Sequence, residues 1–325
     1  MRRRDFITQL SATAIASPLV ASIAQSSEKV WRIGYLSTIG KSDLSEAFIQ
    51  GLHELGYVDG KNLAFDLRDA AGKNERLAEL AADLVHANVD LIATEGTPPT
   101  KAAVQATSVI PIVFGSAQDP VEKGIVASLA HPGGNVTGMA LIADHAKPLE
   151  LLKEAVPQIS SAAFIYDPAT RPGAYGEASL RTLQTEARKL GMTLQPAPLQ
   201  DPDQTDLVFS TLPVDTNGLL LENSVINIRA QKRICQLALQ RALPSVSSFQ
   251  QFAVAGCLVS YGENLPDVYR RAAGYVDKIF KGAKPSDLPV MQATTFDLVI
   301  NLKTAKALGL QLPASFIARA TDVIE

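Results

Sequence analysis

The chain has 325 residues, with 30 lysines and arginines against 33 aspartates and glutamates and a formal net charge of -3. Charges of both signs are mixed along it and no basic stripe forms, which argues against a nucleic-acid partner. Its two cysteines, Cys235 and Cys257, are too far apart for a zinc or redox motif.

The first residues read Arg2-Arg3-Arg4-Asp5-Phe6-Ile7, then a mildly apolar run of small residues closing on Ser22-Ile23-Ala24. The pair Arg3 and Arg4, followed by any residue, the aromatic Phe6 and an aliphatic one, resembles the twin-arginine export signal. Small residues at the cleavage positions place cleavage after Ala24, so residues 1–24 are read as a removable leader. The apolar run is too short and too rich in Ala, Ser and Thr to hold a helix across roughly 30 Å of hydrocarbon. The expected location is the periplasm, and the expected mature chain of about 300 residues is long enough for one large or two ordinary domains.

The next stretch, "RIGYLSTIGKSDLSEAF" at residues 32–48, passes from an apolar run through Gly40-Lys41-Ser42 into a helical pattern. A phosphate loop allows four residues between its first Gly and the Gly-Lys-Ser/Thr, whereas Tyr35 to Ile39 make five here. Leu36 and Ile39 are also bulky for an anion nest. The stretch is therefore read as strand, polar loop and helix, with Ser37 and Thr38 at the strand's carboxyl end, where open α/β sheets place ligand contacts.

Further strands are expected near Leu63–Leu67, Val89–Ala93, Pro111–Phe114 and Asn135–Gly138. A second set follows near Ala162–Tyr166, Met192–Pro196, Gly218–Leu221, Pro244–Ser247 and Cys257–Ser260. Between them apolar residues recur at helical spacing, as at Leu77, Leu80, Ala81, Leu84 and Val85. Alternating strand and helix implies parallel sheets with helices on both faces, and the similar halves imply two doubly wound lobes around a cleft. A helical "LPDVYRRAAGYVDKIFKGAKP" and an extended "SDLPVMQATTFDLVINL" then break the repeat and imply more than one crossing between lobes. Crossings of that kind make a hinge.

Catalytic constellations are missing. Ser116 lacks the flanks of a nucleophile elbow, and His53, His86, His131 and His145 are scattered without metal-ligand spacing. No metal or cofactor is expected. Cys235 and Cys257 are read as two separately buried thiols in preference to a disulfide, because free cysteine packs as a small hydrophobe.

Three stretches carry a resemblance: "GLHELGYVDGKNLAFDLRDAAGKNERLAELAADLV", "TEGTPPTKAAVQATSVIPIVFGSAQDPVEKGIVASLAHPGGNVTG" and "LELLKEAVPQISSAAFIYDP". With the ending "FDLVINLKTAKALGLQLP", they make the chain similar to the exported solute-binding proteins of ABC importers, in the TrpX-like family. The resemblance runs from about Ile33 to Glu325. It implies a type I periplasmic-binding-protein fold, with two α/β lobes, a three-segment hinge and a central cleft. On that reading residues 30–141 and 263–288 form lobe 1, and 142–262 and 289–325 form lobe 2. The chain departs from the family pattern at Glu122, Lys123 and His131, and at Glu95, which falls inside the "T-x-G-T" loop beside the expected cleft.

The matching loops fall at strand ends. Thr94, Gly96 and Thr97 precede a helix opening with Pro98 and Pro99, with Thr97 expected as its N-cap. Ser116 and Asp119 follow the next strand, and Tyr166, Asp167, Glu222, Asn223, Ser247 and Tyr261 occupy corresponding positions in the second half. Asp119 or Glu222 is a candidate anchor for a ligand amine, and Tyr166 or Tyr261 a candidate cover for an apolar part of it. The expected function is a monomeric, non-enzymatic receptor that captures a small-molecule solute between closing lobes and hands it to an ABC permease in the inner membrane. The alternatives are a periplasmic sensor for a signalling receptor and an enzyme on a Rossmann-like two-lobe scaffold.

Overall fold

A computed structural model describes residues 29–141, 146–170 and 173–325. The expected export signal, with Arg3, Arg4, Phe6 and Ala24, lies outside the described residues, as does His145.

The first half runs β1 (Trp31–Ser37), α1 (Asp43–Glu54), β2 (Leu63–Asp69), α2 (Leu77–His86), β3 (Leu91–Thr94), α3 (Thr97–Ala106), β4 (Ile112–Gln118) and β5 (Val136–Leu141). The second runs α4 (Ala146–Ala155), β6 (Ser161–Tyr166), α5 (Gly173–Lys189), β7 (Thr193–Pro198), α6 (Thr205–Ser210), β8 (Gly218–Leu221), α7 (Val225–Gln240), β9 (Ser245–Ser247), α8 (Gln250–Val254) and β10 (Val259–Glu263). The chain then adds α9 (Leu265–Phe280), β11 (Met291–Gln292), β12 (Phe296–Asn301), α10 (Leu302–Ala307), α11 (Ala314–Ile317) and β13 (Asp322–Ile324).

Two sheets result, in the orders β11-β5-β4-β3-β1-β2 and β13-β12-β10-β9-β8-β6-β7. All their pairings are parallel except β10 with β12. Parallel strands buried on both faces read as continuous apolar runs, which is why "LIAT" and "GLLL" are legible as strands. The chain leaves the first sheet after β5, returns to it through α9 and β11, and leaves again at β12. Met291 and Gln292 pair with Met139 and Ala140 of β5, so the first unit extends past the boundary expected at residue 289. A two-residue strand has no periodicity to reveal it.

Helix α9 belongs with the first unit. Leu265, Val268, Tyr269, Ala272, Tyr275 and Val276 are buried at helical spacing, and the helix packs on α1 and β4. One continuous apolar cluster joins the units, from Tyr35, Phe48 and Tyr269 to Ile165, Phe209 and Phe252. Separate clusters cover the opposite faces, around Leu84 and Phe114 in the first unit and Phe164 and Leu298 in the second.

Cys235 and Cys257 form a disulfide, with Cα atoms 4.9 Å apart, which corrects the expectation of two separate thiols. Cys235 lies on the buried face of α7 and Cys257 just before β10, so the fold brings together what sequence spacing does not. Serine at both positions should cost roughly 3 kcal/mol, the loop-closure value for a span of this length. Chemical denaturation of parent and double variant without reductant measures it, and equal midpoints would contradict that contribution.

Candidate functional site

At the carboxyl end of β1, Ser37 is fully buried and its hydroxyl is committed to its own loop. Ser37 Oγ accepts from the backbone N–H groups of Ile39 and Gly40 and donates to Glu95 Oε2 at 3.2 Å. Ser42 then caps α1: its Oγ accepts from Ser45 N while Ser45 Oγ accepts from Ser42 N. Lys41 points into solvent and pairs with Glu46 at 3.1 Å. A capped helix whose lysine faces water gives the Gly40-Lys41-Ser42 sequence no phosphate to hold.

The loop after β3 is organised by Gly96, not Thr97. Gly96 is the N-cap of α3, at φ +87°, a left-handed conformation open to glycine. Thr97 is the first helical residue, and its Oγ1 accepts from Gln118 N at 3.1 Å, tying the loop to the end of β4. Thr94 shares a 2.8 Å hydroxyl hydrogen bond with Thr100. At the end of β4, Ser116 Oγ and the Tyr269 hydroxyl lie 2.6 Å apart. Asp119 follows at φ +45°, an uncommon conformation for a side-chain-bearing residue that Asp tolerates better than most.

These loops surround Glu95, which is only 9% exposed. Its carboxylate accepts from Tyr35 OH at 3.1 Å, from Ser37 and from Ser42. Burial pushes its pKa up to about 7, against the lowering effect of the three hydroxyls, and the Asp69 charge raises it further.

In the second unit, Glu222 at the end of β8 accepts from Asp167 N at 2.8 Å and from Thr170 Oγ1 at 3.0 Å. Asn227, one turn into α7, donates to the carbonyls of Ile165 and Glu222. Glu222 thus braces the loop after β6. Burial raises the Asp167 pKa, partly offset by the Ala169 N–H that its Oδ1 accepts. Asn223 is half-buried beside Glu222. Ser247 is fully buried and donates to the Phe249 carbonyl. Tyr166 stacks on Phe164 and Tyr261 on Phe296, each half-exposed on the same face of the second sheet.

The two sets of loops face one another. The Arg229 guanidinium, on α7, lies over Gly72 in the loop after β2, 3.2 Å from where a Cβ would stand. Gly72 N in turn donates to the Thr38 carbonyl. A cavity of about 440 Å³ opens between the units, with Asp43 and Leu44 on one side, Lys232 and Phe249 on the other, and Asn264 and Leu265 at the crossing. That volume suits a small molecule. Thr38 Oγ1 and Ser260 Oγ are buried without a hydrogen-bond partner among the described residues. Groups of this kind call for a ligand or water.

Several expected contact residues, Ser37, Thr94, Ser116 and Ser247 among them, spend their hydroxyls on shaping loops. Tyr35, Ser42, Thr170 and Tyr269 contact Glu95, Glu222 or Ser116, although sequence reasoning did not select them as ligand contacts. Tyr35 follows the strand period, but Tyr269 arrives only because α9 returns to the first unit. Among the described residues no group of three or more His, Cys, Asp or Glu could hold a metal, and no helix is long and apolar enough to cross a membrane.

Known proteins share this architecture. The family described as ABC transporter substrate binding protein matches residues 35–324. A tyrosine-binding protein from Clostridioides difficile is 26% identical over 288 residues, covering 88% of this chain and 83% of the relative. A conserved domain protein from Vibrio cholerae superposes with a TM-score of 0.84 at 28% identity, covering 91% of this chain and 100% of that one. A Streptococcus pneumonia ABC domain in complex with L-Trp superposes at 0.83 with 23% identity, over 90% and 99% of the two chains.

Proposed function

The chain belongs to the ABC transporter substrate-binding protein family, and on that premise we propose that it captures a small amino acid or related solute between its two units and delivers it to a membrane permease. The observation that supports this reading is the cavity of about 440 Å³ between the units, lined by the residues that follow β1, β9 and β10. The tyrosine and tryptophan associated with two similar proteins favour an amino acid. Export through the twin-arginine leader and a periplasmic location complete the proposal, and catalysis forms no part of it.

A thermal-shift screen over amino acids, aromatic acids, amides and sugars tests the reading. A ligand present at a hundred times its Kd should stabilise the folded chain by about 2.7 kcal/mol. Stabilisation by an amino acid supports the proposal, and stabilisation by sugars alone would overturn its solute class.

A further inference from the structure

Among the described residues, Glu95 is a buried carboxylate with hydroxyl partners and no ion pair. Its Oε2 accepts from Tyr35, Ser37 and Ser42, while Oε1 meets only Ser42 Oγ, at 3.3 Å. An ionised carboxylate offers about four lone-pair positions over its two oxygens, so Oε1 keeps acceptor capacity.

Among the described residues, the groups that shift its charge include no positive side chain. Tyr35 comes from β1, Ser42 from the cap of α1 and Tyr269 from α9, while Asp69 at the end of β2 adds negative charge. The amino end of α1 supplies a partial positive charge only. An unpaired carboxylate at this depth takes up a proton, and a cation placed on Oε1 would stabilise its charged form in place of that proton. Glu95 directly follows β3, at the carboxyl end of the first sheet, where open α/β sheets place their ligand contacts.

We propose that Glu95 anchors the cationic group of the captured solute, its Oε1 accepting from the ligand's ammonium, so that the substrate class is primary-amine solutes. The inference rests on the solute-capture reading above and adds the group that selects the ligand. Because burial brings Glu95 to about 7, an ammonium arriving near pH 6.5 meets a carboxyl that is largely protonated and expels its proton.

Titration calorimetry with L-tyrosine, L-tryptophan, 3-(4-hydroxyphenyl)propionate and indole-3-propionate tests this, in two buffers of different ionisation enthalpy at pH 6.5. The parent should bind an amine-bearing probe, reject its des-amino analogue and release a proton. Glu95→Gln should weaken that binding by about tenfold or more, as expected for a lost charged hydrogen bond, and abolish the proton release. Equal affinity of parent and variant, or binding of the des-amino analogues as tightly as the amines, overturns the anchor and leaves solute capture standing. Binding of none of the four probes, with no stabilisation by any amino acid in the thermal-shift screen, overturns the amino-acid reading itself. If the glutamine variant does not fold, Glu95→Asp, which keeps the carboxylate but withdraws it, decides: weaker binding of the amine than by the parent supports the anchor, and unchanged affinity overturns it.

Discussion

Gly138→Ala should lower the stability of the chain by roughly 3 kcal/mol or more, at the upper end for overpacking. Gly138 lies in β5 opposite Phe114 of β4, at φ +149°. A Cβ there would stand 2.1 Å from the Phe114 carbonyl oxygen and 2.8 Å from its nitrogen. Both are backbone atoms, so relief requires the two strands to separate. The β4–β5 register shifts immediately afterwards, between Phe114 and Ala117, and the strand beyond carries Ser116 and Asp119 into the site. Ligand binding should therefore fall with stability. Gly134 is the control, at φ +64° with nothing within 4 Å of a built Cβ. Alanine there should cost only backbone strain, about 1–2 kcal/mol. Denaturant unfolding compares the two, and a Gly138→Ala midpoint equal to or above that of Gly134→Ala would contradict the close strand approach.

The second large effect is a pH dependence. Burial raises Glu95 from about 4.5 to about 7 in the folded chain, so the folded state holds this proton more tightly than the unfolded state does. The resulting contribution to stability is fully present below about pH 4.5 and is lost as the pH rises through about 7. The shift corresponds to about 3 kcal/mol across that window. Glu95→Gln retains an oxygen for the three hydroxyls without the ionisation. The stability difference between variant and parent should therefore move by about 2.5 kcal/mol in the variant's favour between pH 5 and pH 8. Paired denaturation curves at both values measure it, and a difference independent of pH would show that Glu95 ionises normally.

Much of this fold is legible in the sequence because parallel strands and amphipathic helices leave strong periodic signals. The buried run around Ile33 and Tyr35 marks β1, and the i, i+3, i+4 pattern around Val268 and Tyr269 marks α9. The loops are legible as places, since ligand contacts gather at the carboxyl ends of strands. Their internal wiring is not. Thr97 has the chemistry of an N-cap, yet the left-handed turn at Gly96 starts the helix one residue earlier and turns the Thr97 hydroxyl to Gln118. Glu222 looks like a free acid at a strand end, and only the fold shows it receiving the backbone of Asp167, 55 residues away. The Cys235–Cys257 bridge depends on which face of α7 meets the start of β10, and the hydroxyl contact between Ser116 and Tyr269 spans 153 residues. Local patterns carry no information about pairings at that range.

Capture of a solute between two closing units is tested most directly by small-angle X-ray scattering of the protein, without ligand and then saturated with whichever amino acid calorimetry shows to bind. A ligand shifts an open–closed equilibrium only by its differential affinity for the closed form. With contacts contributed by both units, binding should reduce the radius of gyration and the maximum dimension together. A saturated protein whose scattering profile matches that of the ligand-free protein would contradict capture by closure.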